Sequence, residues 1–322
     1  LAIAGNAFIT LIKFVGFFMS GSVALFSEAV HSVADTLNQG LLMVGLQRST
    51  KKADDEFSYG YGQERFLWAL ISACGIFFLG AGVTVYRGIT SLLHPETVHI
   101  TPIIFGILLT SFAIESITLA MAVRELRRRG HGRKFAWLLQ HGDPTTIAVI
   151  YEDSVAVLGV LVALGSVMMT YLTGSHYWDA IGSVIIGVML GVVAVILIAK
   201  NRSFLIKRNI PPEMRRRIVE IMEAEPAIER VIDFKSTVLD VGVYQVKCEI
   251  EFNGTALMTR LYKSEDIKEE YELLRDDYAE FLRFLSWNVD RVARVMGSTI
   301  DEIEKKIQKE LPEVRHIDIE LN

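Results

Sequence analysis

Six apolar runs fill the first 200 residues of this 322-residue chain: 1–19, 23–46, 66–92, 102–123, 145–171 and 177–199. Crossing about 30 Å of hydrocarbon as a helix takes roughly 20 apolar residues, and each run meets that length. The expected fold is therefore a polytopic α-helical membrane protein with six transmembrane helices. Composition agrees, with 51% hydrophobic residues and a mean hydropathy of +0.34. That is too apolar for an ordinary soluble domain and too charged for an all-membrane chain. Residues 201–322 read as a soluble domain, which places the domain boundary at 203/204. The chain opens at once on an apolar run, so it is expected to begin at the first membrane helix, with residues upstream of it missing and no cleavable leader in view.

The second run carries the chemistry. In GSVALFSEAVHSVAD (21–35), Glu28, His31 and Asp35 are spaced i, i+3, i+7 and share one helical face. Three ionisable groups on one face of a lipid-length helix are costly without partners, and by default mark a site facing the bundle interior. His31 and Asp35 lie one turn apart, a spacing that lets both reach one divalent ion. The plain alternative is a buried His–Asp hydrogen-bonded pair. Two ligands on one helix do not close a metal site, so a second helix must contribute. The fifth run supplies Glu152 and Asp153 with no Lys or Arg near them in sequence. Paired buried carboxylates repel unless a cation or a proton intervenes. Adjacent helical residues point about 100° apart, so Asp153 is the candidate ligand and Glu152 a candidate fourth ligand or proton carrier. The alternative for both is helix–helix hydrogen bonding. Glu115 in the fourth run is a further intramembrane acid. It and Glu28 are candidates for proton coupling, and Glu115 could instead pair with Lys13 of the first run. Lys13 itself reads as a pore residue, a snorkelling lysine or an internally paired one.

The basic residues of the links fall on one side only. Arg48, Lys51, Lys52 and Arg65 follow the second run. Arg124, Arg127, Arg128, Arg129, Arg133 and Lys134 follow the fourth, and Lys200, Arg202, Lys207 and Arg208 follow the sixth. The links 20–22, 94–101 and 173–176 contain no Lys or Arg. The positive-inside rule then puts both termini and the soluble domain on one, cytoplasm-like side, as an even number of spans also requires. The basic link 124–134 reads as a topology determinant or a contact for anionic lipid. The net charge of −5 implies no nucleic-acid partner. Two cysteines, Cys74 and Cys248, far apart in the chain, form no CxxC motif. No HExxH, GxSxG or phosphate-loop pattern occurs, and an enzyme is not expected.

At these residues the chain resembles the cation diffusion facilitator family of zinc–proton antiporters. The resemblance rests on the 21–35 stretch, the link KADDEFSYGYGQER (52–65), the segment EDSVAVLG (152–159) and a soluble domain after the sixth run. It implies Zn²⁺ as transported substrate, no cofactor, protons as counter-ion and a homodimer in the lipid bilayer. The nearest likeness within the family is to a member of the mitochondrial inner membrane. It implies zinc export from the matrix, with the termini on the matrix side. The family's transport site takes two residues four apart on the second span and two four apart on the fifth. His31, Asp35 and Asp153 match; Val149 stands where the fourth ligand belongs, so Glu152 or a water would complete the set. One imidazole with two or three carboxylates is a harder set, which leaves Mn²⁺ or Co²⁺ as alternative cargo. Phe57 and Tyr61 occupy positions that supply histidines to a second metal site in some relatives, and that site is expected to be missing. His316 stands alone in the soluble domain, so dimerisation would rest on packing. These departures also motivate an alternative of another class, a non-transporting metal-sensing scaffold.

The soluble domain reads as a small α+β ferredoxin-like domain of order αββαβ. A helix is expected at 211–225, with Pro in its first turn. A hairpin of 228–241 and 243–252 turns at Gly242. A helix at 300–310 and a strand at 316–321 complete it. Residues 264–288 read as a helical insertion, with Tyr271, Leu274, Tyr278, Phe281, Leu282 and Leu285 at helical spacing. One amphipathic helix covering the sheet or a partner subunit is expected there.

Overall fold

The computed structural model describes residues 2–95, 97–129, 144–262 and 264–322, without the side chains of 2–5, 129, 144, 145 and 264–266. The basic residues Arg133 and Lys134 lie outside the described residues. The chain divides into two compact units, Leu1–Ile206 and Lys207–Asn322.

The first unit is helical. Its helices are α1 (Ala2–Ser20), α2 (Val23–Ser49), α3 (Glu64–Leu93), α4 (Pro102–Arg129), α5 (Pro144–Thr173) and α6 (Tyr177–Leu205). Among the described residues, α3, α4, α5 and α6 are long and apolar enough to cross a membrane. The described part of α1, Asn6–Ser20, is apolar but shorter, and α2 carries the polar stripe. Helices α2, α4 and α6 run three to six residues past the ends of their apolar runs, because the adjoining polar residues keep helical geometry beyond the hydrocarbon-length core. Within α3 the residues Ile76–Gly82 form a π-helical stretch, a local widening that is often found near functional sites.

Helix α2 is the hub. It packs on α1, α3, α5 and α6, while α4 packs on α5 and α1. Ala24 and Leu25 of α2 join Ile104 and Leu108 of α4, Val160 and Ala163 of α5, and Ile186 and Leu190 of α6 in one apolar core. Small residues bring α3 and α6 together. A Cβ on Gly187 would lie 2.6 Å from Val85 Cγ2 and 2.9 Å from the Val85 backbone nitrogen. A Cβ on Gly88 would meet the Val184 nitrogen at 3.0 Å. Backbone-to-backbone contact of this kind is the usual role of glycine between membrane helices.

The second unit begins with α7 (Pro212–Glu223), followed by β1 (Ile228–Asp240) and β2 (Val243–Phe252). The hairpin turns at Gly242, whose φ of 72° suits glycine. Next come α8 (Gly254–Leu261), α9 (Ser264–Leu274), α10 (Tyr278–Glu310) and β3 (Val314–Leu321). The sheet order is β1-β2-β3, with β1 antiparallel to β2 and β2 parallel to β3. Ile218 and Met222 of α7, Val246 and Ile250 of β2, Ile307 of α10 and Val314 of β3 form its core. Cys248 is buried beside them, and burial pushes its thiol up to about 12, so it is an inert packing residue.

The region 264–288 departs from expectation. It is not one helix but an arm, α9, and the start of a second helix that runs unbroken into the predicted 300–310 segment. The Asp277 carboxylate caps that helix by accepting from the Ala279 and Glu280 amides, and no proline follows until Pro312. Only the last third of α10, through Ile303 and Ile307, reaches the sheet core. Tyr271, Tyr278, Phe281, Leu282 and Leu285 are exposed instead of covering the sheet. The short helix α8, which the sequence pattern did not indicate, is started by Asn253 accepting from the Ala256 amide.

The α3–α6 contact generates a paired prediction. Gly187→Ala forces a Cβ against a backbone nitrogen and is expected to cost about 1–3 kcal/mol. Gly165→Ala, in α5, has nothing within 4 Å of its new Cβ and is expected to leave stability unchanged or slightly raised. Thermal unfolding of the purified chain in detergent, followed by size exclusion, compares the two.

Candidate metal centre in the helical bundle

The polar stripe on α2 is longer than the motif that announced it. Glu28, His31, Ser32, Asp35, Asn38 and Gln39 climb one side of the helix at three- and four-residue steps. The helix is fixed at its start by a group from α6. The Ser22 hydroxyl donates to Asp179 Oδ1 at 2.6 Å, and the Val23 amide donates to Asp179 Oδ2 at 2.5 Å. A buried carboxylate on the first turn satisfies amides that no helical carbonyl can reach, and it suits the positive end of the helix dipole. One turn on, the Ser27 and Ser183 hydroxyls bond each other at 2.7 Å. These contacts set the height and rotation of the stripe against α6.

The lower part of the stripe meets α1 and α4. Lys13 is fully buried, and its ammonium donates to Glu28 Oε2 at 2.9 Å, Ser32 Oγ at 3.0 Å and Glu115 Oε1 at 2.7 Å. Of the readings open for Lys13, the internally paired one is observed, and Glu115 is its partner together with Glu28. Each acid keeps one buried oxygen without a hydrogen bond, Glu28 Oε1 and Glu115 Oε2.

The middle of the stripe holds His31 and Asp35, with Nε2 and Oδ2 3.5 Å apart. His31 is 2% exposed, and neither ring nitrogen has a hydrogen-bond partner; nor does Asp35 Oδ1. Unsatisfied buried polar atoms are rare in folded proteins and call for an explanation. On α5, which packs on α2, both Glu152 and Asp153 lie in the electrostatic field of the Asp35 carboxylate. Glu152 is taken up by a neutral donor. The Asn38 amide nitrogen donates to Glu152 Oε2, while the Asn38 oxygen accepts from the Ser72 hydroxyl of α3. This relay ties α3, α2 and α5 at one level.

The structure thus pairs His31 with Asp35 and keeps Asp35 within electrostatic range of the α5 acids. In the conformation described it does not close the four into one coordination set. Among the described residues no three His, Cys, Asp or Glu side chains are arranged to hold a single metal ion. Sequence reasoning missed Asn38, Ser72 and Asp179. Asn38 was accessible, since it follows Asp35 by three residues on the same face. Ser72 and Asp179 gave no local signal, because their roles depend on which helices become neighbours.

In the link after α2, the Phe57 and Tyr61 rings pack at a 51° tilt with their centres 4.6 Å apart. Lys51 bonds the Tyr61 hydroxyl at 2.7 Å and pairs with Asp54 at 2.9 Å. The hydrogen bond from Lys51 holds the Asp54 carboxyl down to about 2. The link is therefore organised by an aromatic pair and an exposed ion pair.

Comparison with known proteins is consistent with this layout. Residues 1–206 match the model of the cation efflux transmembrane domain. The human protein named proton-coupled zinc antiporter SLC30A9, mitochondrial, is 35% identical over 326 residues, an overlap covering this whole chain and 57% of the human protein. Metal tolerance protein C4 of Arabidopsis thaliana is 34% identical over 98% of this chain and 71% of its own length. An uncharacterized transporter of Methanocaldococcus jannaschii is 24% identical over 77% of this chain and 78% of its own. The chain spans a little over half the length of the animal relatives it matches.

The Asn38 relay can be tested by itself. Asn38→Ala leaves the Glu152 carboxylate and the Ser72 hydroxyl buried without their partner, at a cost of about 1–3 kcal/mol. A lower unfolding midpoint is expected, restored in part by the double variant Asn38→Ala/Glu152→Leu, which removes the stranded acid.

Proposed function

The chain belongs to the cation diffusion facilitator family, and on that footing we propose that it is a secondary transporter that carries Zn²⁺ in exchange for protons. The observation that carries the reading is the His31–Asp35 turn. It is an imidazole and a carboxylate 3.5 Å apart, with three buried polar atoms lacking partners, in electrostatic reach of the α5 acids. His31, Asp35 and Asp153 are the proposed ligands, with Glu152 as fourth ligand once Asn38 releases it. A nitrogen–oxygen set of this kind suits zinc. Metal binding needs these groups deprotonated, so arrival of the ion expels protons by chemistry alone. Neutral histidine binds, and protonated histidine does not, which makes the exchange responsive near neutral pH. Glu28 and Glu115 are proposed to share in the proton traffic through the second oxygens that Lys13 leaves free.

The proposed architecture is six membrane spans over residues 1–203 and a ferredoxin-like domain over 204–322. The one-sided basic links support both termini and that domain lying on one side, the side from which zinc is proposed to leave. The relatives named as mitochondrial support the inner membrane as location and export from the matrix as direction. A homodimer is the proposed working form. Alternating access would rock the helices about a midplane site in the manner of other secondary transporters.

Reconstitution into zinc-loaded proteoliposomes with an imposed proton gradient tests the reading. Asp35→Ala and Asp153→Ala are each expected to reduce zinc flux to the level of empty vesicles, with unchanged elution on size exclusion. Flux that persists in either variant removes that residue from the site. Zinc binding without gradient-driven flux in the unaltered chain would favour a metal-sensing scaffold.

A further inference from the structure

The Lys13 cluster sits one turn below the proposed transport site and is used there only for proton traffic. Its geometry is that of a cation site already filled. Three oxygens from two helices, Glu28 Oε2 and Ser32 Oγ of α2 and Glu115 Oε1 of α4, converge on one buried ammonium at 2.7–3.0 Å. Two more oxygens of the same carboxylates, Glu28 Oε1 and Glu115 Oε2, are buried with no partner. Two carboxylates and a hydroxyl around one point, with spare oxygens, form a hard, all-oxygen set of the type that holds divalent ions. Such ions bind oxygen at about 2.0–2.2 Å, so each ligand would move inward by under about 1 Å. Lysine brings a single charge on a flexible stem with three donors, and here all three donors are used.

We propose that Lys13 is a tethered cation that occupies a would-be second divalent-ion subsite formed by Glu28, Ser32 and Glu115, and so limits the bundle to one bound metal. This rests on the reading of the bundle as a divalent-cation carrier. The function assigned to Lys13 is selectivity. An ion moving along the α2 stripe meets two acids whose converging oxygens are already taken by the ammonium, and does not come to rest one turn short of His31 and Asp35. The tether also joins α1, α2 and α4 without a diffusible ion, so that junction does not loosen when metal is scarce.

The test is a count of ions. The full chain is purified in detergent and dialysed to equilibrium against Zn²⁺ or, separately, Mn²⁺, and metal per chain is measured by mass spectrometry. Lys13→Met is expected to bind one more ion per chain than the unaltered protein. The gain is expected to vanish in Lys13→Met/Glu28→Gln/Glu115→Gln and to persist in Lys13→Met/Asp35→Ala. If Lys13→Met does not give monodisperse protein, Lys13→Gln, which keeps one amide donor for the carboxylates, reads the same gain. An unchanged count in whichever variant is monodisperse overturns the proposal, because the two acids then take up protons in place of metal. The proposed transport site is judged separately, by the ion that Asp35→Ala removes from the otherwise unaltered chain.

Discussion

A charge carried into an apolar helical bundle must find its counterpart there, and α2 is where this chain meets that requirement. Taking an ion from water into such surroundings is expensive unless its partner is close and its remaining hydrogen bonds are met. Lys13 meets both conditions completely, with three donors on three oxygens. Glu152 meets only the second, through a neutral amide. His31 and Asp35 meet them least, and that unevenness along one helical face separates structure from function. Glu28, Ser32 and Asn38 are held, and His31 and Asp35 between them are left able to bind something else.

Helical neighbours follow from the same stripe. Three polar residues on α2 recruit different helices: Glu28 draws in α1 and, through Lys13, α4; Ser27 meets α6; Asn38 reaches α5 and α3. The apolar residues between them, Ala24 and Leu25 among others, fill the remaining contact. Directional bonds therefore specify which helices surround α2, while apolar packing and close glycine crossings set how tightly they do so.

Much of this was legible in the sequence where a period or a spacing encodes it. The helical runs, the shared face of Glu28, His31 and Asp35, the hairpin about Gly242 and the helix opening at Pro212 depend on neighbours a few residues away. What escaped depends on partners far along the chain. Asp179 caps a helix more than 150 positions earlier, and Ser72 matters only because α3 lies beside α2. The choice for Lys13 between lipid headgroup, pore and partner could not be made without knowing that α4 stands across from it. In the second unit, the 264–288 segment showed helical spacing correctly. Its continuation into the 300–310 helix was hidden because Gly297 and a run of charged residues resemble a boundary, although a single glycine in a long helix is tolerated.

Asp179 has a consequence for motion. With the Val23 and Ala24 amides and the Ser22 hydroxyl clamped to Asp179 of α6, and the two serines bonded one turn further in, those two helices are riveted at that end of the bundle. A swing that opens the far end of α2 would then pivot about this rivet like a door on its upper hinge. The lever arm lengthens toward Ser49, and the Asn38 bonds to α5 and α3 along the way serve as the latch.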